Sequence, residues 1–373
     1  MSGGGSFLEQ KTNIGIIGCG HISSIYMEAP RTFDRLNIVA CADLDRERAE
    51  AQARNFHIPK ACSVEELLAD PTVEIVINLT IPAVHAQVSM DILKAGKSVY
   101  SEKPLAIERE QGQALLTTAA TKGLRVGCAP DTFLGGGIQT CIDLINTKKI
   151  GTPLAATAFI KYRGPELFHH NPDFFYQPGG GPLFDMGPYY LTALIAMLGP
   201  VRRVTASART TFAERKVLVG PLQGQTIHVN TPTYVAGVLD FVSGAIGTLI
   251  TSFDVWAHRL PRIEIYGTEG TLSVPDPNTF GGPIAVSYAN SKTWEDVPLT
   301  RGYTNNVRGI GAADMAHALH SNRAHRASGE MAYHVLDIMQ SFLESSEQGK
   351  HIELTSTCER PAPFPKGEAP WTV

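Results

Sequence analysis

Short runs of apolar and β-branched residues recur along the first third of the chain and alternate with stretches of helical length and polarity. Between Asn13 and Cys128 these runs are NIGIIG, LNIVACAD, EIVINLT, KSVYS and LRVGC. Two of the intervening stretches, Asp45 to Asn55 and Ala83 to Lys94, have the length and polarity of helices. Regular alternation of strand and helix at this spacing predicts an α/β domain, with a parallel sheet and helices on both faces.

The pattern changes after a predicted helix over roughly 134–149. The segments that follow are long strands with tight turns: PLAATAFIKYR, RRVTASART, TYVAGVLDFVSGAIGTLITSFDVW and RIEIYGTEGTLSV. Ser243-Gly244 lies between two such strands and Gly267 to Gly270 between two more, and both are hairpin signals. This half is therefore predicted to be an α+β domain with a large, open, mostly antiparallel sheet. The amphipathic stretch Gly329 to Gln348 is expected to pack on one domain or to bridge both.

These patterns divide the chain into three parts. Residues 1–12 are predicted to form a flexible arm and residues 13–130 the α/β domain. Residues 131–373 are predicted to form the α+β domain, whose last helix is expected to pack back on the first domain. A length of 373 residues agrees with two domains, since a domain holds about 150 residues.

The composition argues against two classes of binding partner, nucleic acids and anionic membranes. The chain is 43% apolar and 18% charged, as a globular protein is, and its net charge is −4 with no long run of either sign. We expect no binding to nucleic acid or to an anionic membrane. The longest nearly apolar stretch, around Tyr189 to Leu198, is far shorter than the roughly 18 residues that cross a bilayer, so a soluble, cytoplasmic protein is expected.

The spacing of the cysteines also favours a cytoplasmic protein. The six cysteines form no CxxC pair and no zinc-finger spacing with histidine, which predicts free thiols in a reducing cytosol and no metal site. They are Cys19, Cys41, Cys62, Cys128, Cys141 and Cys358.

A glycine-rich turn follows the first predicted strand. Gly18-Cys19-Gly20-His21-Ile22-Ser23 leads into a helical stretch that ends near Glu28. Gly18 suits the tight turn, Gly20 permits close approach of a pyrophosphate to the backbone, and the helix start offers free N–H groups to phosphates. Ser23 stands where the usual fingerprint has a third glycine. Alone, this pattern is as typical of a simple tight turn.

Asp43, at the end of the second strand, strengthens the prediction of a dinucleotide site. Its carboxylate can accept both hydroxyls of an adenosine ribose. The alternative role is the N-cap of the next helix, for which Asp45 is better placed. The same carboxylate would repel the 2′-phosphate of NADP, so NAD is favoured and NADP is less expected. Arg46 and Arg48 weaken that preference, because an arginine near the ribose can accept the phosphate.

Lys103 follows the fourth predicted strand, in the segment AGKSVYSEKPL. The carboxyl end of a parallel strand faces the crevice in which such sheets bind ligands. An ammonium group there can hold a substrate hydroxyl and stabilise the alkoxide as hydride leaves. The alternative is a surface ion pair between Glu102 and Lys103.

Five segments occur in order between Asn13 and about Leu198: GIIGCGHIS, ADLD, TIPAVHAQV, AGKSVYSEKPLA and GGGPLFDMGPYY. Together they resemble the Gfo/Idh/MocA family of sugar and polyol oxidoreductases. The resemblance implies a Rossmann domain that binds NAD or NADP, an active-site Lys103 and a cis Lys103-Pro104 bond. It also implies a nicotinamide near Thr80, Pro82 and His85, although His85 alone is as typical of a packed or capping histidine. The residues expected to bind the cofactor are Gly18, Gly20, His21, Ile22, Asp43, Thr80, Pro82, His85, Glu102 and Lys103.

The family's second motif is an aspartate followed four residues later by an acid/base histidine. The chain keeps Asp185 but has Tyr189 in place of the histidine. Four residues along a helix place both side chains on one face, and the ammonium of Lys103 is expected to lower the phenol's pKa so that Tyr189 can take a proton. Packing of Tyr189 in the core is the alternative. Lys103, Asp185 and Tyr189 are the predicted catalytic residues.

The loop from Tyr162 to Tyr176 is rich in aromatic and hydrogen-bonding groups, as a carbohydrate site is. Lys161, Arg163, His169, His170 and Arg259 would together admit an acidic sugar, or they form a solvated basic face. Asp131 has no clear assignment. The residues expected to bind substrate are Lys103, Tyr162, Arg163, His169, His170, Asp185, Tyr189, Trp256 and His258.

Three functions fit these residues. The first is NAD-dependent oxidation of a ring hydroxyl of a sugar, glycoside or cyclitol. The second is glycoside cleavage by transient oxidation and elimination, with no net NADH. The third is a regulatory protein that senses dinucleotides without catalysis, against which Lys103 and Asp185 argue. The open sheet further predicts a homo-oligomer, a dimer or tetramer.

Overall fold

The computed structural model describes residues 11–291 and 293–365. The predicted arm at residues 1–12 lies outside this range except for its last two residues, and Thr12 begins the first strand. The first sheet contains β1 (Thr12–Ile17), β2 (Leu36–Ala42), β3 (Lys60–Cys62), β4 (Ile75–Asn78), β5 (Ser98–Ser101) and β6 (Val126–Cys128). The helices between them are α1 (Ser23–Glu28), α2 (Arg46–Phe56), α3 (Val64–Ala69), α4 (His85–Lys94) and α5 (Arg109–Lys122).

This sheet has the order β3-β2-β1-β4-β5-β6, with every pair parallel. The predicted Rossmann-type α/β domain is therefore confirmed. The order reverses between β1 and β4, and ligands of such sheets bind outside the carboxyl ends of the strands at that point. The turns that follow β1, β2, β4 and β5 all lie at this edge.

The second sheet is larger. Its strands are β7 (Pro153–Lys161), β8 (Val201–Arg209), β11 (Tyr234–Phe241), β12 (Ile246–Ser252), β13 (Ile263–Gly267), β14 (Gly270–Val274), β15 (Ala285–Tyr288), β16 (Glu295–Asp296) and β17 (Ile352–Glu353). A separate ribbon joins β9 (Glu214–Lys216) to β10 (Thr226–His228). The helices of this half are α6 (Gly136–Asn146), α7 (Gly181–Leu198), α8 (Ile310–Ser321) and α9 (Gly329–Gln348).

The large sheet has the order β16-β15-β14-β13-β7-β12-β11-β8-β17, and within the described residues only β7 and β12 pair in parallel. The predicted mostly antiparallel sheet is therefore confirmed, as are the β11–β12 and β13–β14 hairpins. Gly244 has a φ of +89°, which the first of these turns requires.

Alternation along the strands defines two faces of this sheet. On β7, Ala156, Ala158 and Ile160 are buried beneath the helices, whereas Phe159 and its alternate neighbours are only half-buried. Helices α6, α7 and α9 cover the first face. The second face carries none of these helices, and its pairing with a second copy of the chain remains a prediction.

The end of the chain returns to the first domain. Helix α9 packs both on β8 and on α5 and β6, so it bridges the two sheets. Arg109 of α5 donates to Asp337 of α9 at 2.5 Å across this junction. Helix α8, which no sequence pattern predicted, packs against β6, with Met315 beside Gly127.

Asp131 fixes the start of α8. Its carboxylate, 1% exposed, accepts hydrogen bonds from the backbone N–H groups of Gly309 at 2.8 Å and Gly311 at 3.0 Å. Burial raises the pKa of Asp131 to about 6, although both hydrogen bonds oppose the shift. Asp131 is thus an internal support that links the end of the first domain to the returning segment.

The stability of the protein should depend on pH through this residue. The folded-state pKa lies above the ordinary value, so the contribution of Asp131 is complete below about pH 4 and is lost as the pH rises through about 6. An upward shift of about two units corresponds to about 3 kcal/mol. We expect the free energy of unfolding of the unmutated protein, minus that of Asp131→Asn, to fall by up to this amount between about pH 4 and pH 7. Parallel curves in urea titrations of the two proteins would contradict the assignment.

Candidate active site

The turn after β1 requires glycine at its first position. Gly18 has a φ of +97°, and a Cβ there would lie 2.7 Å from the carbonyl carbon and oxygen of Leu79. That close approach brings the turn against the loop that follows β4. Thr80, in this second loop, donates its hydroxyl to Asn78 at 2.7 Å.

Gly20 has a different reason to be glycine. A Cβ at this position would meet no protein atom within 4 Å, so packing within the chain does not demand a glycine. The bare backbone instead leaves room for another molecule to approach closely, as a pyrophosphate does. Buried Ser23 closes the turn by donating its hydroxyl to the Gly20 carbonyl at 2.7 Å. His21 is exposed on the turn, and Ile22 directly precedes α1.

Asp43 is held beside this turn. Its carboxylate accepts the backbone N–H of Cys19 at 2.7 Å and that of Asp45 at 2.9 Å. Asp45 caps α2 by accepting the N–H of Arg48 at 3.2 Å, as expected, so Asp43 is not the cap. Arg48 also approaches Asp43 at 3.7 Å, whereas Arg46 pairs with Glu50. Bare glycine backbone next to a fixed carboxylate fits a dinucleotide.

His85 joins two of the loops at this edge. Nδ1 lies 2.8 Å from the carbonyl of Pro104 and Nε2 lies 2.8 Å from the carbonyl of Thr80. Burial lowers the pKa of His85 more than the two carbonyls raise it. The ring therefore connects the loop after β4, which includes Pro82, to the loop after β5, in which the Lys103-Pro104 peptide is cis.

Lys103 meets Asp185 across the two domains. Its Nζ donates to Asp185 Oδ1 at 2.9 Å and to the Asp185 carbonyl at 2.6 Å, and each side chain is 17% exposed. Glu102 instead accepts the hydroxyl of Tyr26 at 2.7 Å and the backbone N–H of Lys103 at 3.0 Å. The surface ion pair between Glu102 and Lys103 is therefore not formed.

The surroundings of Lys103 keep it charged. Burial by itself lowers the pKa of Lys103, but the Asp185 carboxylate, aided by Glu102, raises it above the ordinary value. The second oxygen of Asp185 accepts the Tyr162 hydroxyl at 3.3 Å. The Lys103 ammonium and the Tyr162 hydroxyl thus both donate to the Asp185 carboxylate.

Tyr189 lies one turn beyond Asp185 on α7, and its ring centroid is 5.3 Å from Lys103 Nζ. The expectation that its pKa is lowered is wrong. Burial of the 9% exposed side chain raises the pKa of Tyr189, and this outweighs the opposite effect of Lys103 and Arg308. The phenol is therefore protonated at neutral pH and can donate a proton rather than accept one.

Sequence reasoning missed Arg308, whose positive charge partly opposes the rise in the pKa of Tyr189 that burial causes. Arg308 follows β16 in a segment without regular periodicity. Its guanidinium donates to the side-chain oxygens of Asn278 at 2.7 Å and Asn306 at 2.8 Å. Asn278 is 30 residues away in sequence, so no local pattern reveals the position of the arginine.

Arg163 and Trp256 form a separate pocket. The Arg163 guanidinium stacks 4.5 Å from the Trp256 ring and 5.3 Å from that of Phe212. The pocket has a volume of about 360 Å³, and the residues that line it do not include Lys103 or the groups around it. Trp256 lies in the loop after β12 and is 77% exposed. A role for either residue in substrate binding remains a prediction.

The three predicted histidines have other neighbours. His169 packs edge-on against Phe174 and Phe175, at 5.4 and 5.2 Å between ring centroids. His170 lies against Gly220, and exposed His258 accepts the backbone N–H of Leu260 at 3.3 Å. These contacts are local, and a role in substrate binding remains a prediction for all three.

A buried ionic cluster anchors the predicted substrate loop. Arg215 of β9 donates to Glu166 in this loop at 2.7 Å and also pairs with Asp254 after β12. Tyr176 donates its hydroxyl to the same glutamate. All four side chains are buried or nearly so. The cluster fixes both ends of the loop, and its partners are too distant in sequence for a motif to reveal them.

Among residues 11–291 and 293–365, no group of three histidine, cysteine or acidic side chains is arranged to hold a metal ion. No helix in this range has both the length and the apolar character to cross a bilayer. The six cysteines are free thiols, five of them buried.

Comparison with known proteins identifies both halves of the chain. A family model described as an oxidoreductase family with an NAD-binding Rossmann fold matches residues 12–129, and the GFO/IDH/MocA C-terminal domain matches residues 138–273. A trans-1,2-dihydrobenzene-1,2-diol dehydrogenase of Xenopus tropicalis is 28% identical over 74% of this chain and 86% of its own length. A 1,5-anhydro-D-fructose reductase of Ensifer adhaerens is 26% identical over 76% and 82%.

The fold agrees with these matches. The structure of levoglucosan dehydrogenase in its apo form superposes with a TM-score of 0.80 at 21% identity, and the alignment covers 93% of this chain and all of that one. Two consecutive domains, a shared fold and a nucleotide turn followed by a lysine–aspartate pair all lead to one conclusion. The chain belongs to the Gfo/Idh/MocA family of oxidoreductases.

Proposed function

We propose that the protein is an NAD-linked oxidoreductase that interconverts a ring hydroxyl and the corresponding ketone of a sugar, glycoside or cyclitol. The observation that carries this proposal is the contact of Lys103 with Asp185, 2.9 Å apart, at the edge of the sheet where the nucleotide turn also lies. Two relatives, a cyclic 1,2-diol dehydrogenase and an anhydro-sugar reductase, support a ring substrate with oxygen functions.

Lys103 would hold the reacting oxygen. Its ammonium is oriented by Asp185 and remains charged, so it can stabilise negative charge that develops on that oxygen. A bound nicotinamide accepts or delivers the hydride. Gly18, Gly20 and Asp43 would hold its dinucleotide, with Thr80, Pro82 and His85 close to the nicotinamide.

Tyr189 would exchange the proton. A protonated phenol beside Lys103 is suited to donate to a ketone oxygen, which favours carbonyl reduction at neutral pH. Oxidation of the alcohol needs the phenolate and is therefore favoured by alkaline pH.

Replacing Lys103 should separate chemistry from cofactor binding. Lys103→Ala should lower turnover by roughly 10² or more, because it removes charge stabilisation made mainly in the transition state. NAD affinity, measured by quenching of intrinsic fluorescence, should stay within a few fold. Lys122→Ala, which removes an exposed lysine of α5, is the matched control and should keep full activity with a panel of sugars and cyclitols. A Lys103→Ala protein with normal turnover would exclude the proposed role.

Asp43 should determine the preference for NAD. Fluorescence titration is expected to show tighter binding of NAD than of NADP, and Asp43→Ala should narrow the difference because the charge that repels the 2′-phosphate is gone. Asp45→Ala removes a carboxylate two residues away that caps α2, and it should leave the ratio of the two affinities unchanged. Equal affinities in the unmutated protein would refute the preference.

Tyr189→Phe tests the proton donor while keeping the ring. Turnover should fall by roughly 10² to 10⁴, the usual contribution of general acid–base catalysis. In the unmutated protein, the rate of oxidation should rise toward alkaline pH, because burial raises the pKa of the phenol. Tyr190→Phe, at the next position on α7, is the control. Nearly full activity of Tyr189→Phe would show that this ring only packs.

A further inference from the structure

A large cavity lies beside β6, at the edge of the parallel sheet. It has a volume of about 900 Å³ and is bounded by α5, β6, the turn between α8 and α9, and the segment 359–362. Sites for small molecules have volumes of about 300–1,000 Å³, so this cavity is large enough for one. None of the residues assigned above to cofactor or substrate lines it.

One wall of the cavity is apolar. Helix α5 and the residues that lead from it into β6 supply aliphatic side chains to this wall: Leu116, Ala119, Ala120, Leu124 and Val126. Such a surface gains free energy when the carbon skeleton of a ligand covers it. The wall therefore fits the apolar part of an organic molecule.

The cavity also carries an excess of positive charge. Four arginines line it, and two of them, Arg323 and Arg326, donate to the same oxygen of Asp314 at 2.7 and 2.6 Å. This aspartate is fully buried, so one carboxylate serves two guanidinium groups. The acidic residues that line the cavity, Glu330 and Glu359, are both exposed to water, which weakens their influence.

The other two arginines have neutral partners. Arg125 donates to the backbone carbonyls of Arg323 at 2.6 Å and Ala318 at 3.1 Å. Arg360 donates to a backbone carbonyl at 2.7 Å and to an amide oxygen at 2.9 Å. In the part of the chain that the structure describes, neither forms an ion pair with an acidic side chain. Burial and the charge of Arg323 lower the pKa of Arg125 more than Asp314 raises it, so a further anion would relieve this repulsion.

We propose that the cavity binds a small organic phosphate, whose phosphate group contacts the arginines and whose carbon skeleton covers the apolar wall. The planar fork of a guanidinium fits a phosphate group. A phosphate monoester carries nearly two negative charges at neutral pH, so it compensates more of the excess charge than a single carboxylate does. This site is separate from the nucleotide turn and from Lys103, and it goes beyond the proposed function.

Calorimetric titration of the full chain with 1-naphthyl phosphate tests the site. We expect saturable binding at one site, with or without an excess of NAD. 1-Naphthol lacks the anion and inorganic phosphate lacks the carbon skeleton, so each should bind at least roughly tenfold more weakly. Absence of binding, equal binding of either control compound, or displacement of 1-naphthyl phosphate by NAD would overturn the proposal.

A matched pair of variants on α5 locates the ligand. Ala120 and Ala114 are both exposed on this helix, but only Ala120 lines the cavity. Ala120→Glu introduces a negative charge there and should weaken binding of 1-naphthyl phosphate by roughly tenfold or more, because like charges repel. Ala114→Glu makes the same change outside the cavity and should leave the affinity unchanged. Equal affinities of the two variants would contradict the proposed location.

Arg125 tests the recognition of the phosphate group. Arg125→Gln removes the charge and should raise the Kd for 1-naphthyl phosphate by roughly tenfold or more, whereas Arg125→Lys should recover part of the loss. Arg54→Gln, which removes an exposed arginine of α2, is the control and should bind as the unmutated protein does. An unchanged Kd in a folded Arg125→Gln protein would overturn the proposal, and the variants at position 120 and 114 decide it if Arg125→Gln does not fold.

Discussion

The contact between Lys103 and Asp185 determines the geometry of the rest of the site. The lysine follows a strand of the parallel sheet, and the aspartate belongs to a helix that covers the antiparallel sheet. Each side chain is largely withdrawn from water, so loss of either partner would leave an uncompensated charge in a poorly solvated place. Two tyrosines are placed around this contact. The Tyr162 hydroxyl donates to the second carboxylate oxygen of Asp185, and the Tyr189 ring lies beneath the Lys103 ammonium.

Local sequence patterns predict those parts of the site whose physical cause is itself local. Gly18 must be glycine because its φ is positive and its Cβ would strike the next loop, and such a requirement appears as a motif. Asp43 and Lys103 follow predicted strands. Once the strands are predicted correctly, both residues are therefore predicted to lie at the carboxyl edge of the parallel sheet, where ligands bind. The overall fold follows for the same reason, since strand and helix periodicities repeat over many residues.

Groups whose partners are distant in sequence could not be predicted in this way. Arg308 donates to Asn278, which is 30 residues away in sequence, and Arg215 reaches Glu166 from the β9–β10 ribbon of the same half. The prediction for the pKa of Tyr189 failed for a related reason. The motifs indicate that the charge of Lys103 is near, but the extent of burial depends on the complete packing of α7, and burial is the larger effect.

Because α9 returns to the first domain, that domain cannot be exchanged between relatives by itself. A cut between residues 130 and 131 separates the two family models, yet Arg308, α8 and the entire bridging helix α9 lie beyond it. A hybrid that exchanged only the first 130 residues for those of a relative would have to match a foreign β6 to Ser328 and a foreign α5 to Asp337. The recombining unit is therefore not the nucleotide-binding domain alone, but that domain together with the segment from Arg308 to the end of α9.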